Sequence, residues 1–320
     1  MPELPFLARL AVPVLVAPML RVSGVELVVA ACRAGAAAAF PVANAPSTAE
    51  LDQWLSELSG RLTSDDGPFC PNVIMLHPRL DEQLSVLERH RPEVVITSVG
   101  SPRPVVERLG PLGTTVLSDV ASLKHAEKAI EAGADGLVLL SAGSGGQTGW
   151  ANPFAFVRAV RRWFDGPLVL AGGIGDGHAL RAAVELGADL GYMGTGFIAT
   201  HESMAAARYR SMVVDATLDD VVLTRAFTGL PASMLVQSIR EAGLDPACLD
   251  ESVGPEAARR VWSEGGGGVR RWEGVLSAGH SVSAVDQVVS VAELIARVRE
   301  EFLDGRRGRG SPGRRAPAPG

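Results

Sequence analysis

Residues 168–195, LVLAGGIGDGHALRAAVELGADLGYMGT, constrain the fold most, because strand, glycine turn, helix, strand and second glycine turn follow one another within 28 residues. Four apolar residues lead into Gly172 and Gly173, a helix starts near Gly177, and a second apolar run at 190–193 ends at Gly194 and Thr195. Glycine lets backbone approach an anion closely, and a helix start offers free N–H groups with a favourable dipole. The unit therefore reads as a phosphate cradle. Loops after strands 7 and 8 commonly hold a phosphate in a (β/α)8 barrel, so its rank in the chain is decisive.

Six earlier apolar runs precede it, at 12–17, 36–40, 69–75, 94–98, 115–120 and 136–140, with helix-like stretches at 24–33, 48–59, 80–89, 102–109, 122–132 and 153–163. A period of roughly 25 residues suits one βα unit. Buried strands alternating with helices imply parallel strands in right-handed units. The expected fold is α/β, a (β/α)8 TIM barrel with a helical cap inserted after strand 8. Residues 1–200 and 269–305 would form the barrel, 201–268 the cap and 306–320 a basic disordered tail. The cap rests on residues 202–260, read as polar helices punctuated by Gly229, Pro231, Gly243 and Pro246. A glycine run at 265–268 then reads as a flexible connection, and 288–302 as a closing amphipathic helix. A cap in this place would stand over the C-terminal mouth, where barrel active sites lie.

Composition narrows the class. The 320 residues are 47% hydrophobic and 21% charged, enough apolar content for one large core. The tail holds five arginines and no acid, so removing it from the net charge of −6 leaves −11 for the body. An acidic body argues against nucleic-acid binding. Cys32, Cys70 and Cys248 are far apart and form no metal or disulfide spacing, which predicts a reducing, cytoplasmic setting. No apolar run has bilayer length, and the start of the chain lacks a basic n-region. The expected partner is a small-molecule substrate, without nucleic acid or membrane; oligomeric state, a homodimer included, is left open.

Further motifs sit at strand ends. They are Ala17, Pro18 and Met19 after the first run; Pro68, Phe69 and Asn72 at the third; Gly133, Ala134 and Asp135; and the loop SAGSGGQTG at 141–149. AGGI at 171–174, MGT at 193–195, LTRAFTG at 223–229 and LSAGH at 276–280 complete the set. In this order the chain resembles the nitronate monooxygenase (2-nitropropane dioxygenase-like) family, FMN-dependent barrels that also include enoyl-acyl-carrier-protein reductases and quinone reductases.

The resemblance implies FMN. Gly172, Gly173, Gly194 and Thr195 would hold its phosphate, with Ser277 and Gly279 closing over it, and Gly145 and Gly146 would lie against the cofactor. Ala17, Pro18 and Met19 would floor one flavin edge, and Asn72 offers a donor and an acceptor to the pyrimidine ring. Where the family carries a histidine in AGGHxG, this chain has Gln147. Glutamine donates and accepts hydrogen bonds but does not titrate, so it cannot take a proton from a neutral nitroalkane. A nitronate needs less help. Replacement groups are Asp119 and Ser141, at the ends of strands five and six, and His280 after the Ser277 turn; His178 is a further candidate.

The implied activity is hydride or electron transfer through flavin N5 to or from a small organic substrate. Family prevalence favours nitronate oxidation, whereas Gln147 favours reductase-like or desaturase-like chemistry; the alternative is an NAD(P)H-dependent enoyl-thioester reductase or desaturase, or a quinone reductase, on the same scaffold. GGIGDG does not fit a dinucleotide fingerprint, so NAD(P)H as electron donor would bind transiently at the flavin face. Two other classes stay open: a non-flavin phosphate-binding barrel, and a flavin-binding protein without catalysis. An inosine-monophosphate-type dehydrogenase would need a cysteine after strand six, where none occurs.

Overall fold

A computed structural model describes residues 4–254 and 274–304. Eight parallel strands close into a barrel: β1 (Val14–Val16), β2 (Ala37–Pro41), β3 (Phe69–Ile74), β4 (Val94–Ser98), β5 (Thr115–Val120), β6 (Gly136–Leu140), β8 (Leu168–Ala171) and β9 (Leu190–Met193). β9 returns to β1, with Leu15 opposite Tyr192. Each of the eight expected runs holds a strand, the first trimmed to three residues. The additional strand β7 (Gly146–Gln147) belongs to the loop after β6.

Between the strands run α1 (Val25–Arg33), α2 (Thr48–Arg61), α3 (Leu80–His90), α4 (Arg103–Leu109), α5 (Leu123–Glu131), α6 (Pro153–Val160) and α7 (Gly177–Leu186). Local chemistry sets their starts. Ser47, Ser122, Asn152 and Asp176 each accept a hydrogen bond at the helix N-terminus from a backbone N–H within their own first turn, and such caps stabilise by about 1 kcal/mol. At the end of α7, Gly187 takes φ +111°, the left-handed cap expected of a glycine there.

The strands point alternate side chains into the barrel. Leu15, Ala37, Ala39, Cys70, Val94, Ile96, Leu117, Val138, Val169 and Leu190 fill the interior, and Leu4 and Phe6 join this cluster from the N-terminal segment. The same alternation carried one step further, to the C-terminal ends, places Asn72, Ser98, Asp119, Leu140, Ala171 and Tyr192 under the mouth. The barrel is thus a packed plug with a mostly polar upper layer. The outer core forms where helices bury Val, Leu and Ala against the strands.

After β9 come α8 (Thr195–Ile198), α9 (Ala207–Asp215), β10 (Val221–Thr224), β11 (Ala232–Leu235) and α10 (Val236–Glu241). The expectation of helices alone across this stretch is corrected: β10 and β11 form an antiparallel hairpin that adds β7 to make a three-stranded sheet. The Val221, Val222 pair favours a strand, and its partner β11 is in turn held by the non-local Gly146–Gln147. The closing helix α11 (Val291–Asp304) packs on α7 and α1. The glycine run at 265–268, the tail at 306–320, the rest of the cap from 255 and barrel residues 269–273 and 305 lie outside the described residues. Among the described residues no helix is long and apolar enough to cross a membrane.

Candidate active site

A cavity with about 1110 Å³ of empty space, part of it open to solvent, lies at the C-terminal mouth. Ala17, Pro18 and Met19 line it from the end of β1, Asn72 from β3, Asp119 from β5, and Gly145, Gly146 and Gln147 from β7 and its approach. Gly172, Gly173, Gly194, Thr195 and Ser277 line the opposite side. The chain thus gathers most of the sequence-predicted residues in one place.

The glycine turns have the conformation an anion cradle needs. Gly172 and Gly173 take φ of +117° and +72°, a region that favours glycine. A Cβ on Gly172 would press on Ser141 Oγ, whereas the space beside Gly173 is open within 4 Å. The first N–H groups of α8, which starts at Thr195, have no acceptor within the helix. Thr195 Oγ1 accepts from the Gly279 N–H at 2.9 Å, which leaves the threonine O–H to donate into the cavity.

The loop carrying Gln147 is braced from below. Ser144 Oγ and Thr148 Oγ1 both donate to the Ser141 carbonyl, at 2.8 and 2.7 Å, and β11 pairs Ala232 with Gln147 and Ser233 with Gly146. From α9, Tyr209 lines the cavity and donates to the Ser277 carbonyl at 2.5 Å. Burial pushes the Tyr209 phenol up to about 12, so it stays protonated.

Three cavity-lining side chains hold a buried polar atom without a partner: Asp119 Oδ1, Gln147 Nε2 and Tyr192 Oη. Burial pushes the Asp119 carboxyl up to about 8. Burial, and next the neighbouring Asp119, hold the Tyr192 phenol well above its ordinary range. Such atoms each cost about 1–3 kcal/mol when left unpaired; a ligand that hydrogen-bonds them recovers that cost. Asn72 is nearly buried and donates to Ser98 Oγ at 3.2 Å, which fixes its amide at the cavity wall.

Some expected roles are corrected. Ser141 does not line the cavity: it is fully buried and its hydroxyl donates to the Ala171 carbonyl at 2.5 Å. His280 is exposed and is not a cavity-lining residue; it opens a 3-10 turn, with its ring beside Gly143. Gly279 uses its N–H on Thr195 and is not a cavity-lining residue. His178 is exposed on α7. Cys32 and Cys70 are buried and Cys248 is exposed, none lining the cavity.

Tyr192 is the residue that motif reasoning missed. It belongs to the GYMGT run, and the two-residue period that turns Leu190 inward turns Tyr192 inward as well. That period was the available signal.

Residues 72–301 match the family model described as nitronate monooxygenase. A (3aS,4S,5R,7aS)-5-hydroxy-7a-methyl-1-oxo-octahydro-1H-indene-4-carboxyl-CoA dehydrogenase from Rhodococcus jostii is 28% identical over 235 residues, 72% of this chain and 65% of that protein. The chain therefore spans a little under two thirds of that relative's length. Among solved structures, FabK from Thermotoga maritima is similar with a TM-score of 0.77 and 30% identity, covering 93% of this chain and 94% of that one. A nitroalkane oxidase from Streptomyces ansochromogenes is similar with a TM-score of 0.76 and 26% identity, covering 93% and 98%.

Proposed function

From the premise that this chain belongs to the nitronate monooxygenase family, we propose that it is an FMN-dependent oxidoreductase acting next to a carbonyl-type oxygen of a small organic substrate, with Gln147 in place of the usual histidine. The observation that carries the reading is the set of unpaired polar atoms on Asp119, Gln147 and Tyr192, all on one cavity. These are groups that recognise an oxygen and handle a proton.

The residues present fit FMN. The left-handed turn at Gly172 and Gly173 leaves open space beside Gly173, where a side chain would otherwise stand, and with Gly194 and Thr195 it would hold the phosphate. Ala17, Pro18 and Met19 would meet the ring, with the fixed Asn72 amide toward its pyrimidine edge. When bound, a flavin supplies the two-electron step through N5.

This chain's own residues supply the rest. Gln147 orients the substrate oxygen by donating from Nε2. Asp119, kept neutral up to about pH 8 by burial, donates a hydrogen bond or a proton to that oxygen, and ionisation above that pH removes this donor. A carboxyl tuned to this range suits general acid–base work near neutral pH. Asp119 is the one carboxylate on the cavity among the described residues.

A thioester substrate is favoured over a neutral nitroalkane because Gln147 does not titrate, and because the Rhodococcus relative is by name a dehydrogenase of a carboxyl-CoA compound. NAD(P)H would serve as a transient electron donor in the reductive direction. The test is the visible spectrum of the purified protein, followed by anaerobic additions. The expected result is a flavin spectrum bleached by a saturated acyl thioester or by NAD(P)H. Bleaching by a nitronate alone would return the protein to nitronate oxidation, and a colourless protein that FMN cannot reconstitute would overturn the flavin reading.

A further inference from the structure

A second concavity, a solvent-open groove of about 1890 Å³ of empty space, runs outward from the cavity between α4, α5, the 147–150 loop and the cap. The two share Ser98, Val99, Asp119, Leu140 and Gln147 in their walls, so they adjoin. Their junction is strained: Val99, β-branched, sits at φ +57°, a costly conformation that tends to persist where the surroundings use it.

The outer walls carry Arg103 from α4, His125 and Lys128 from one face of α5, and Arg225 from the cap. All four are exposed. Among the described residues none of their side chains holds an ion pair or hydrogen bond, although elsewhere Arg61, Arg89, Arg108 and Arg161 each hold a carboxylate. Besides Asp119 at its inner end, the groove has one acid, Glu131. A chain of net charge −6 thus concentrates three unpaired cations, Arg103, Lys128 and Arg225, in one concavity. At the same place Trp150 is 82% exposed, offering a ring face for stacking.

We propose that this groove binds the phosphorylated, nucleotide-bearing arm of an acyl thioester whose reacting carbons lie in the cavity. Ammonium and guanidinium groups recognise phosphate oxygens, an exposed indole stacks on a purine, and the wall shared at Gln147 and Asp119 sets the groove beside the cavity, in reach of one extended molecule. The inference rests on the thioester reading above and adds which end of the substrate the protein grips.

The experiment measures calorimetric binding of coenzyme A, pantetheine and NADPH to the FMN-reconstituted protein and to Lys128→Glu/Arg225→Glu and Trp150→Ala, with flavin content confirming that each variant is folded. The expected result is coenzyme A binding that weakens at least tenfold in the charge reversal and with added salt, and several-fold in Trp150→Ala. Pantetheine, without phosphates, binds weakly and equally to all, and a pantetheine thioester bleaches the flavin equally in all. Coenzyme A binding that ignores both variants overturns the proposal, as does NADPH binding that falls in their place. Failure of every thioester to bleach the flavin, with charge-dependent coenzyme A binding intact, removes the redox reading and leaves the groove assignment standing.

Discussion

Ser141 Oγ donates to the Ala171 carbonyl at 2.5 Å, tying the end of β6 to the end of β8 directly beneath the Gly172 turn. A hydroxyl placed there for chemistry is instead a strut, and Gly172 has no room for a side chain because that strut stands where its Cβ would go. Ser141→Ala should therefore lose about 1 kcal/mol of stability and keep its flavin. Gly172→Ala adds both the contact and a φ of +117°, and should weaken FMN binding more than tenfold. Equal flavin content in wild type and Gly172→Ala would show that the turn does not form the cradle.

Gly173 differs from its neighbour in having open space beside it. Gly173→Asp should expel FMN by charge rather than by collision, while Gly173→Ala, which faces only its φ of +72°, should retain most of it. Flavin fluorescence after reconstitution distinguishes the two, and full occupancy in the aspartate variant would end the phosphate assignment.

Burial moves the Asp119 carboxyl from its ordinary value of 3.8 to about 8. The unfolded chain ionises this group near pH 4 and the folded protein only near pH 8, so its presence lowers stability progressively across that window and adds no further loss above it. Asp119→Asn should match wild-type Tm near pH 4 and exceed it increasingly toward pH 8, each unit of separation being about 1.4 kcal/mol. The kcat/KM profile of wild type should show a limb near pH 8 that the asparagine variant lacks. Parallel Tm curves for the two proteins would mean that the carboxyl is ionised in the fold.

Tyr192 buries a hydroxyl without a partner. Tyr192→Phe removes a desolvation cost of about 1–3 kcal/mol, so the ligand-free variant should be as stable as wild type or more so, with turnover reduced about tenfold. A large fall in Tm would reveal a structural bond to that hydroxyl.

Gln147→His restores a titratable group on a strand held by β11. Turnover of a neutral nitroalkane should rise at least tenfold. No gain with FMN still bound would count against nitronate-type chemistry on this scaffold.

The alternation of apolar runs and amphipathic stretches was enough to read the eight barrel strands and the helices between them, because burial periodicity is a local property of the chain. The glycine turns were legible for a similar reason: a left-handed φ at Gly172, Gly173 and Gly187 is written in the absence of a side chain. The β10–β11 hairpin was not, since its inner strand β11 pairs Ala232 and Ser233 with Gln147 and Gly146, about 85 positions earlier in the chain, and β10 is added on β11.

Sequence by itself thus determined the barrel, the glycine turns at its C-terminal mouth and the motif set that marks the family. Only the tertiary structure decided which polar side chains meet. Ser141 and Asp119 both stand near strand ends, yet one turns to a neighbouring carbonyl and the other into the cavity; His280 follows a cavity-lining turn and leaves it. Direction, burial and the resulting protonation depend on elements packed from distant parts of the chain, and no local pattern encodes them.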